Sequence, residues 1–573
     1  MDKTETMVPQ IRGSGEIGEA IIPMYNRLDI VSKIDKLGVI ESSVHTPVYQ
    51  MHKFWARRPW KVFRKLIQNF TREGDIILDP FAGGGVTLVE GLILRRRVIA
   101  VDLNPLAVWI VEHEVRPLDI NKYLNGVKML KRLIEPIERK YYGINCRCGG
   151  VGVIEWVEYD GTSPSLLQYY CPACRTRRVG KAEKELPPVQ EDLEKMGLRR
   201  VEIPLGDKTS DLLKRGVRFF HELFPPRNLY LILLIQRGIE NLDLPADVKS
   251  FLKFTLSSTL KWASWMSHRR GEIIEGWAMH AYWIYPKPLE INVWRQFLNR
   301  ANAVVRGKKF SNTYIGSYAY RASTFEDFAK GATYLLLQMD ARSLPLPDSC
   351  VDCVITDPPY GDNINYAELS DYFLWLNGSL APKKEEIVIN RTRGFTLDDY
   401  KAGLEEVFKE CHRVLKPGGL VISTFNSKDL RVVGAFLSAL SSAGFSYVGT
   451  SYQPYLKAYT TTFHAMQIDA LPFDFVFFFQ KSEPQNHNQI DHIDCLQKVY
   501  EKMEVYKKQL KSEREFRMET YPLLLPCLAS KNWGEVKLLA SSYEKLIERE
   551  SAFFKSVRKK RTQERRGKIV KTL

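Results

Sequence analysis

No apolar run in the chain approaches the about 20 residues needed to cross a bilayer as a helix, which leaves out a membrane-spanning protein. No charged-then-apolar leader opens the sequence, so export is not expected. Cysteine is sparse and odd in number, nine in 573 residues, unlike a disulfide framework, and a reducing, cytoplasmic compartment is the simpler reading. Internal repeats are not evident. Acidic residues are the minority charge: 83 Lys and Arg against 67 Asp and Glu leave a net charge of +16. Such an excess favours a polyanionic partner, because each neutralised phosphate releases counterions; a generally basic background is the bland alternative. With 45% hydrophobic residues, the chain has ample material for a multidomain core.

Two short segments carry the chemistry. Residues 75–104 read as strand, glycine loop, helix and strand. Gly83, Gly84 and Gly85 remove side chains where a ligand must lie close to backbone, at a helix start whose free amides attract a carboxylate. Asp102 closes the second strand about 20 residues further on, where an acid accepts hydrogen bonds from ribose hydroxyls. The spaced third glycine of a dinucleotide fingerprint is missing, so a nucleoside ligand is expected instead. A buried strand–helix–strand turn with an incidental acid is the competing reading.

The second segment is the apolar run 351–356 and the Asp357-Pro358-Pro359-Tyr360 that ends it. A proline pair cannot continue a central strand, so the chain must leave the sheet in a rigid loop carrying one carboxylate, carbonyls freed from ladder pairing and one aromatic ring. That set suits a flat nitrogenous base: Asp357 and the Pro358 carbonyl can accept both hydrogens of an exocyclic amino group, while Tyr360 stacks on the ring. The bland reading is a strand-ending turn.

Taken together, these segments resemble the S-adenosylmethionine-dependent amino-methyltransferases, with their Asp-Pro-Phe-x-Gly-x-Gly cofactor loop (Asp79, Phe81, Gly83, Gly85) and Asp-Pro-Pro-Tyr catalytic loop. Within that class the chain is similar to the adenine-specific DNA methylases that contain a zinc ribbon. Residues 357–363 and 366–373 and a long cysteine-bearing insertion carry the likeness, which covers residues 45–480. The resemblance implies an α/β fold: a Rossmann-like S-adenosylmethionine methyltransferase sheet with a large, mostly helical, zinc-ribbon-bearing insertion and a helical C-terminal tail. It also implies S-adenosylmethionine as cofactor, with Asp340 against the adenine amino group and Lys53, in the segment before the cofactor loop, near the methionine end. DNA is the implied partner and adenine the implied base, although a cytosine amino group suits the same loop. Transfer RNA guanine amino-methyltransferases share Asp-Pro-Pro-Tyr-Gly and make RNA the second reading; an inactive zinc-containing nucleic-acid-binding protein is the third.

The expected division is an N-terminal extension (1–45), a first core block (46–119), an insertion (120–334), a second core block (335–485) and a basic helical tail (486–573). Apolar runs at 334–340, 351–356, 419–425 and 473–480 supply four more strands, the last of them antiparallel at the sheet's far side. Leu404, Val407, Phe408, Cys411, Val414 and Leu415 fall on one helical face before Lys416-Pro417-Gly418-Gly419. In the insertion, Cys146 and Cys148, then Cys171 and Cys174, form two tight thiolate pairs able to close a structural tetrahedral Zn²⁺ site in a ribbon over 145–180. Cys350 and Cys353 have no second pair nearby and read as sheet residues. Residues 210–330 look helical, basic and aromatic. His268, Arg269 and Arg270 are the expected nucleic-acid contacts, the alternative being an aromatic core. The tail carries heptad-like Leu496, Val499, Tyr500 and Met503 and a basic run over 557–566.

Overall fold

The computed structural model describes residues 27–40, 43–55, 57–182, 186–454, 473–481, 492–509, 512–530, 532–557 and 559. In chain order the strands are β1 (Ile76–Asp79), β2 (Arg97–Asp102), β3 (Gly143–Asn145), β4 (Val151–Asp160), β5 (Ser163–Cys171), β6 (Thr176–Lys181), β7 (His268–Arg270), β8 (Ile273–Glu275) and β9 (Leu289–Ile291). They continue with β10 (Arg321–Ala322), β11 (Tyr334–Gln338), β12 (Val351–Thr356), β13 (Leu415–Phe425), β14 (Phe445–Pro454) and β15 (Phe473–Lys481). The central sheet runs β10-β11-β2-β1-β12-β13-β15-β14; its first six strands are parallel, and β15 is antiparallel to both its neighbours. This is an α/β architecture built on a mixed sheet.

Burial on both faces explains the near-continuous apolar strands. Ile77, Val98, Ala100, Leu336, Cys353, Ile355 and Phe478 face one core. Their strand neighbours Leu78, Ile99, Val101, Leu335, Val354, Phe477 and Phe479 face the other. Cys353 and Cys411 are buried apolar residues.

The expected strands are present, with differences at the far side. The Phe473–Lys481 strand is buried and antiparallel on the far side as expected, but a further strand, β14, lies outside it. β14 escaped notice because Ser446, Gly449, Thr450, Ser451 and Gln453 dilute its pattern, as edge strands tolerate. Strand β13 begins at Leu415, not at Gly419: Leu415 leaves the helix Leu397–Val414 and pairs with Val351, and the register then shifts before Leu420 meets Cys353. Lys416-Pro417-Gly418-Gly419 is therefore a bulge within the strand, with Gly418 at φ +75°.

The insertion is less helical than its pattern suggests. β3 to β6 and β9 form a second antiparallel sheet, and His268–Arg270 is a strand paired with β8. Buried Trp277, Tyr282 and Trp294 fill the core between helices. The insertion is pinned by a buried pair: Arg227 Nε and Nη2 donate to Glu290 at 2.9 and 2.5 Å, and the Tyr142 and Tyr159 hydroxyls donate to the same carboxylate at 2.6 and 2.8 Å. Glu290→Leu leaves Arg227 buried and unpaired, and chemical denaturation should report a loss of about 3–5 kcal/mol.

The tail forms helices His492–Gln509, Glu513–Leu528 and Trp533–Arg549. These are packed on the core rather than detached from it: Arg517 pairs with Glu544 at 2.9 Å, and Glu544 accepts from Leu430 N at 2.8 Å. Cys495 and Cys527 form a disulfide between the first two of these helices, the one such bond among the described residues. Beyond Val557, the basic run lies outside the described residues apart from Lys559. No described helix is long and apolar enough to cross a membrane.

Candidate active site

Parallel pairing brings the acidic residues of both core blocks to one edge. Asp79 pairs with Ala100 at the end of β1, Asp102 pairs with Gln338 at the end of β2, and Leu78 pairs with Val354, three residues before Asp357. The order in which strands are added reverses between β1 and β12, which opens a crevice at their carboxyl ends. Asp79, Phe81, Gly83, Asp102, Asp340, Asp357 and Pro359 line it, and it encloses about 1000 Å³ counting its open mouth.

Each lining acid is held by the loop it begins. Asp79 Oδ1 accepts from Thr356 Oγ1 at 2.7 Å and from Phe81 N at 3.1 Å, which ties the glycine loop to the strand that delivers Asp357. Burial pushes this carboxyl up to about 7. A carboxyl raised by folding costs stability as pH rises from its unfolded value to its folded value, and that cost is fully present above about pH 7. Asp79→Asn keeps the acceptor oxygen and removes the charge, so urea titrations should show it more stable than wild type by on the order of 4 kcal/mol at pH 8. The gain should vanish near pH 4.

Asp102 accepts from Gly83 N at 2.7 Å and Asn104 N at 2.8 Å, and burial raises it to about 6. Gly83 has φ +48°, and a Cβ there would lie 3.2 Å from the Phe54 ring. Gly85 serves packing instead: at φ +74°, its Cβ would sit 2.7 Å from Val111, and it does not line the crevice. Asp340 is gripped by Arg342, whose Nε and Nη2 both donate to Oδ2, at 2.9 and 2.5 Å.

Three side chains from three different segments converge on Asp357. Oδ1 accepts from the Tyr360 hydroxyl and from Thr424 Oγ1 at 2.6 Å, and Oδ2 accepts from Arg58 Nε at 2.7 Å. Burial pushes the carboxyl up, while Arg58 and the two hydroxyls pull it down. Tyr360 lies 4.7 Å from the Phe425 ring, and the Arg58 guanidinium lies 4.6 Å from its centroid. The Pro359 carbonyl is taken by Tyr400 at 2.5 Å, whereas the Pro358 carbonyl has no hydrogen-bond partner among the described residues.

Other expected residues lie elsewhere. Lys53 does not line the crevice. Its ammonium donates to Trp277 O at 3.1 Å, with the Trp55 and Trp277 rings each 5.4 Å away. Burial holds it well below the ordinary lysine value. His268 stacks on Tyr285 at 3.6 Å, while the exposed Arg269 is bonded to Glu158 at 3.0 Å and the exposed Arg270 to Glu275 at 3.2 Å. The sulfurs of Cys146, Cys148, Cys171 and Cys174 all lie within 4.8 Å of one another, with Cys146–Cys174 at 3.9 Å and Cys148–Cys171 at 3.6 Å.

Site residues not singled out from sequence are Arg58, Thr424, Tyr366 and Glu386. Tyr366 stacks on Phe54 at 5.6 Å in the crevice wall. Arg58 stands in the basic-aromatic segment before the cofactor loop, and that was the one signal pointing to it. Thr424 reads only as a strand residue.

The profile of the N6_N4_Mtase family, described as DNA methylase, matches residues 33–112 and 351–564, more than half of the chain. The chain belongs to this DNA methylase family. Both motifs fall inside the matched segments, and the whole of the insertion falls between them. The enzyme is similar to the type II methyltransferase M.MjaII of Methanocaldococcus jannaschii, 21% identical over 432 residues, 70% of this chain and 76% of that one. M.MvaI of Kocuria varians, also a type II methyltransferase, is 26% identical over 99 residues, only 17% of this chain and 22% of its own. Among solved structures, a protein of Thermus thermophilus described as a DNA modification methylase is 16% identical, covering 27% of this chain and 56% of that one; its TM-score of 0.16 is too low to argue from.

Proposed function

We propose that the enzyme is a site-specific DNA methyltransferase that places a methyl group on the exocyclic amino nitrogen of a flipped base, adenine before cytosine. The observation that carries this reading is the convergence of Asp79, Gly83, Asp102 and Asp340 with Asp357 on one crevice. Bound S-adenosylmethionine would supply an electrophilic sulfonium methyl group. The residues fit it: Gly83 leaves the cradle a side chain would fill, Asp102 stands where ribose hydroxyls need an acceptor, and Asp340 can take the adenine amino group.

An exocyclic amino nitrogen is a poor nucleophile because its lone pair is delocalised into the ring. Asp357 Oδ2 and the Pro358 carbonyl can accept its two hydrogens, which favours pyramidal nitrogen and stabilises the positive charge that develops on attack. Tyr360 and Thr424 fix the carboxylate through Oδ1, so its direction is set before the base arrives. The Tyr360 ring offers the base a face to stack on.

The core is read as a Rossmann-like methyltransferase sheet in two blocks, 46–119 and 335–485, with 1–45 as an extension, 120–334 as the inserted substrate-recognition region and 486–573 as the tail. The four cysteines would hold Zn²⁺ structurally: Zn–S bonds of about 2.3 Å in a tetrahedron put sulfurs about 3.8 Å apart, and 3.6 and 3.9 Å bracket that value. The test is methyl transfer from labelled cofactor to duplex DNA and to transfer RNA side by side, with the product digested to nucleosides. N6-methyladenine or N4-methylcytosine in DNA supports the reading; transfer confined to RNA defeats it.

A further inference from the structure

We propose that the Arg58 guanidinium holds the place of the target base in the crevice and yields it when the base enters. The inference rests on Asp357 and Tyr360 being the base-holding pair. Arg58 presents to that pair what a base would: a flat, conjugated group 4.6 Å from the Tyr360 centroid, with an N–H donating to Asp357 Oδ2 at 2.7 Å. Asp357 Oδ1 already accepts from two hydroxyls, Tyr360 on its own loop and Thr424 on β13, neither of which an incoming base needs to displace. Oδ2 is then the oxygen that meets the base amino group, and it is the oxygen Arg58 holds. The base and the guanidinium compete for one acceptor and one aromatic neighbour.

Arg58 also has somewhere to go. Its Nη1 already reaches both Asp474 oxygens, at 3.3 and 3.2 Å, so rotation toward β15 keeps the cation paired while Oδ2 is handed over. It lies two residues before the helix Trp60–Phe70. The exchange gives the site a means of discrimination. A base with an amino group replaces the donor that Arg58 withdraws, whereas thymine leaves a buried carboxylate oxygen unpaired and is rejected.

The test uses Arg58→Met and the more conservative Arg58→Lys in the full chain, with calorimetric cofactor binding as the check that the crevice is intact. Two synthetic duplexes are built on the sequence the enzyme methylates in plasmid DNA, one with the target base mispaired and one with an abasic nucleotide in its place. Arg58→Met should tighten binding of the mispaired duplex roughly tenfold and leave the abasic duplex unchanged, with Arg58→Lys between wild type and Met. If Arg58→Met does not bind cofactor, the lysine variant decides alone by the same comparison. Equal weakening of both duplexes would make Arg58 a phosphate contact, and no difference between them would make it structural; either overturns the proposal. Asp357→Ala serves as the control: if it still transfers methyl groups, the base-holding reading has failed, whereas an inactive Asp357→Ala with duplexes indifferent to Arg58 refutes the Arg58 proposal alone.

Discussion

Asp357→Ala is expected to lower methyl transfer about a thousandfold while leaving cofactor affinity within about twofold of wild type. The carboxylate acts where positive charge develops on the amino nitrogen, so its removal costs transition-state stabilisation rather than ground-state binding. The residues proposed to hold the cofactor come from other strands: Asp79 ends β1 and Gly83 follows it, Asp102 ends β2 and Asp340 follows β11. Asp357→Asn should recover part of the loss, because its carbonyl oxygen can still accept one hydrogen, but it brings neither negative charge nor an ion pair with Arg58. Single-turnover transfer from tritiated cofactor, with calorimetry on the same preparations, separates the two quantities. An Asp357→Ala enzyme that turns over at the wild-type rate would remove the basis of the assignment.

Cys171→Ser should have the largest effect on structure. Purified wild-type protein is expected to carry one zinc per chain by elemental analysis, and the variant almost none. A tetrahedral thiolate site contributes on the order of 10 kcal/mol to a small ribbon that has little core of its own. Cys171 ends β5, whose ladder joins β4 to β6, and β4 also pairs with β9. Loss of the metal is thus expected to expose residues 143–181 to limited proteolysis, while Arg227–Glu290 and the buried helices retain the rest of the insertion. Cofactor binding should survive, since no cysteine of the cluster lines the crevice. Wild-type protein purified without stoichiometric metal would rule the site out.

Much of the site is legible from local chain properties. Pro358-Pro359 must end a strand because it cannot donate to a ladder, and β12 does stop at Thr356. The spacing of Leu404, Val407, Phe408 and Cys411 dictates a buried helical face whatever that face meets. Other features depend on what lies opposite. The basic and aromatic residues of 261–295 can serve equally as a groove or a core; Trp277 and Trp294 became core once helices closed over them, and Arg269 and Arg270 found carboxylates on neighbouring strands. Gly85 carries no sequence mark distinguishing ligand approach from packing, and its neighbour Val111 decides for packing. β14, polar and interrupted by Gly449, becomes a strand because β15 offers it an edge.

The strand-ending diproline loop, the glycine turn, the thiolate pairs and the periodicity of the core helices all follow from backbone freedom, missing donors and apolar spacing within a few residues. That Arg58 meets Asp357 across 299 positions of chain, that Lys53 donates to the Trp277 carbonyl, and which carboxylates Arg269 and Arg270 pair with came only from the folded chain. Partner choice for a charged side chain is settled by which opposite charge or carbonyl lies within about 4 Å after burial, and that information is distributed over the fold rather than written beside the residue.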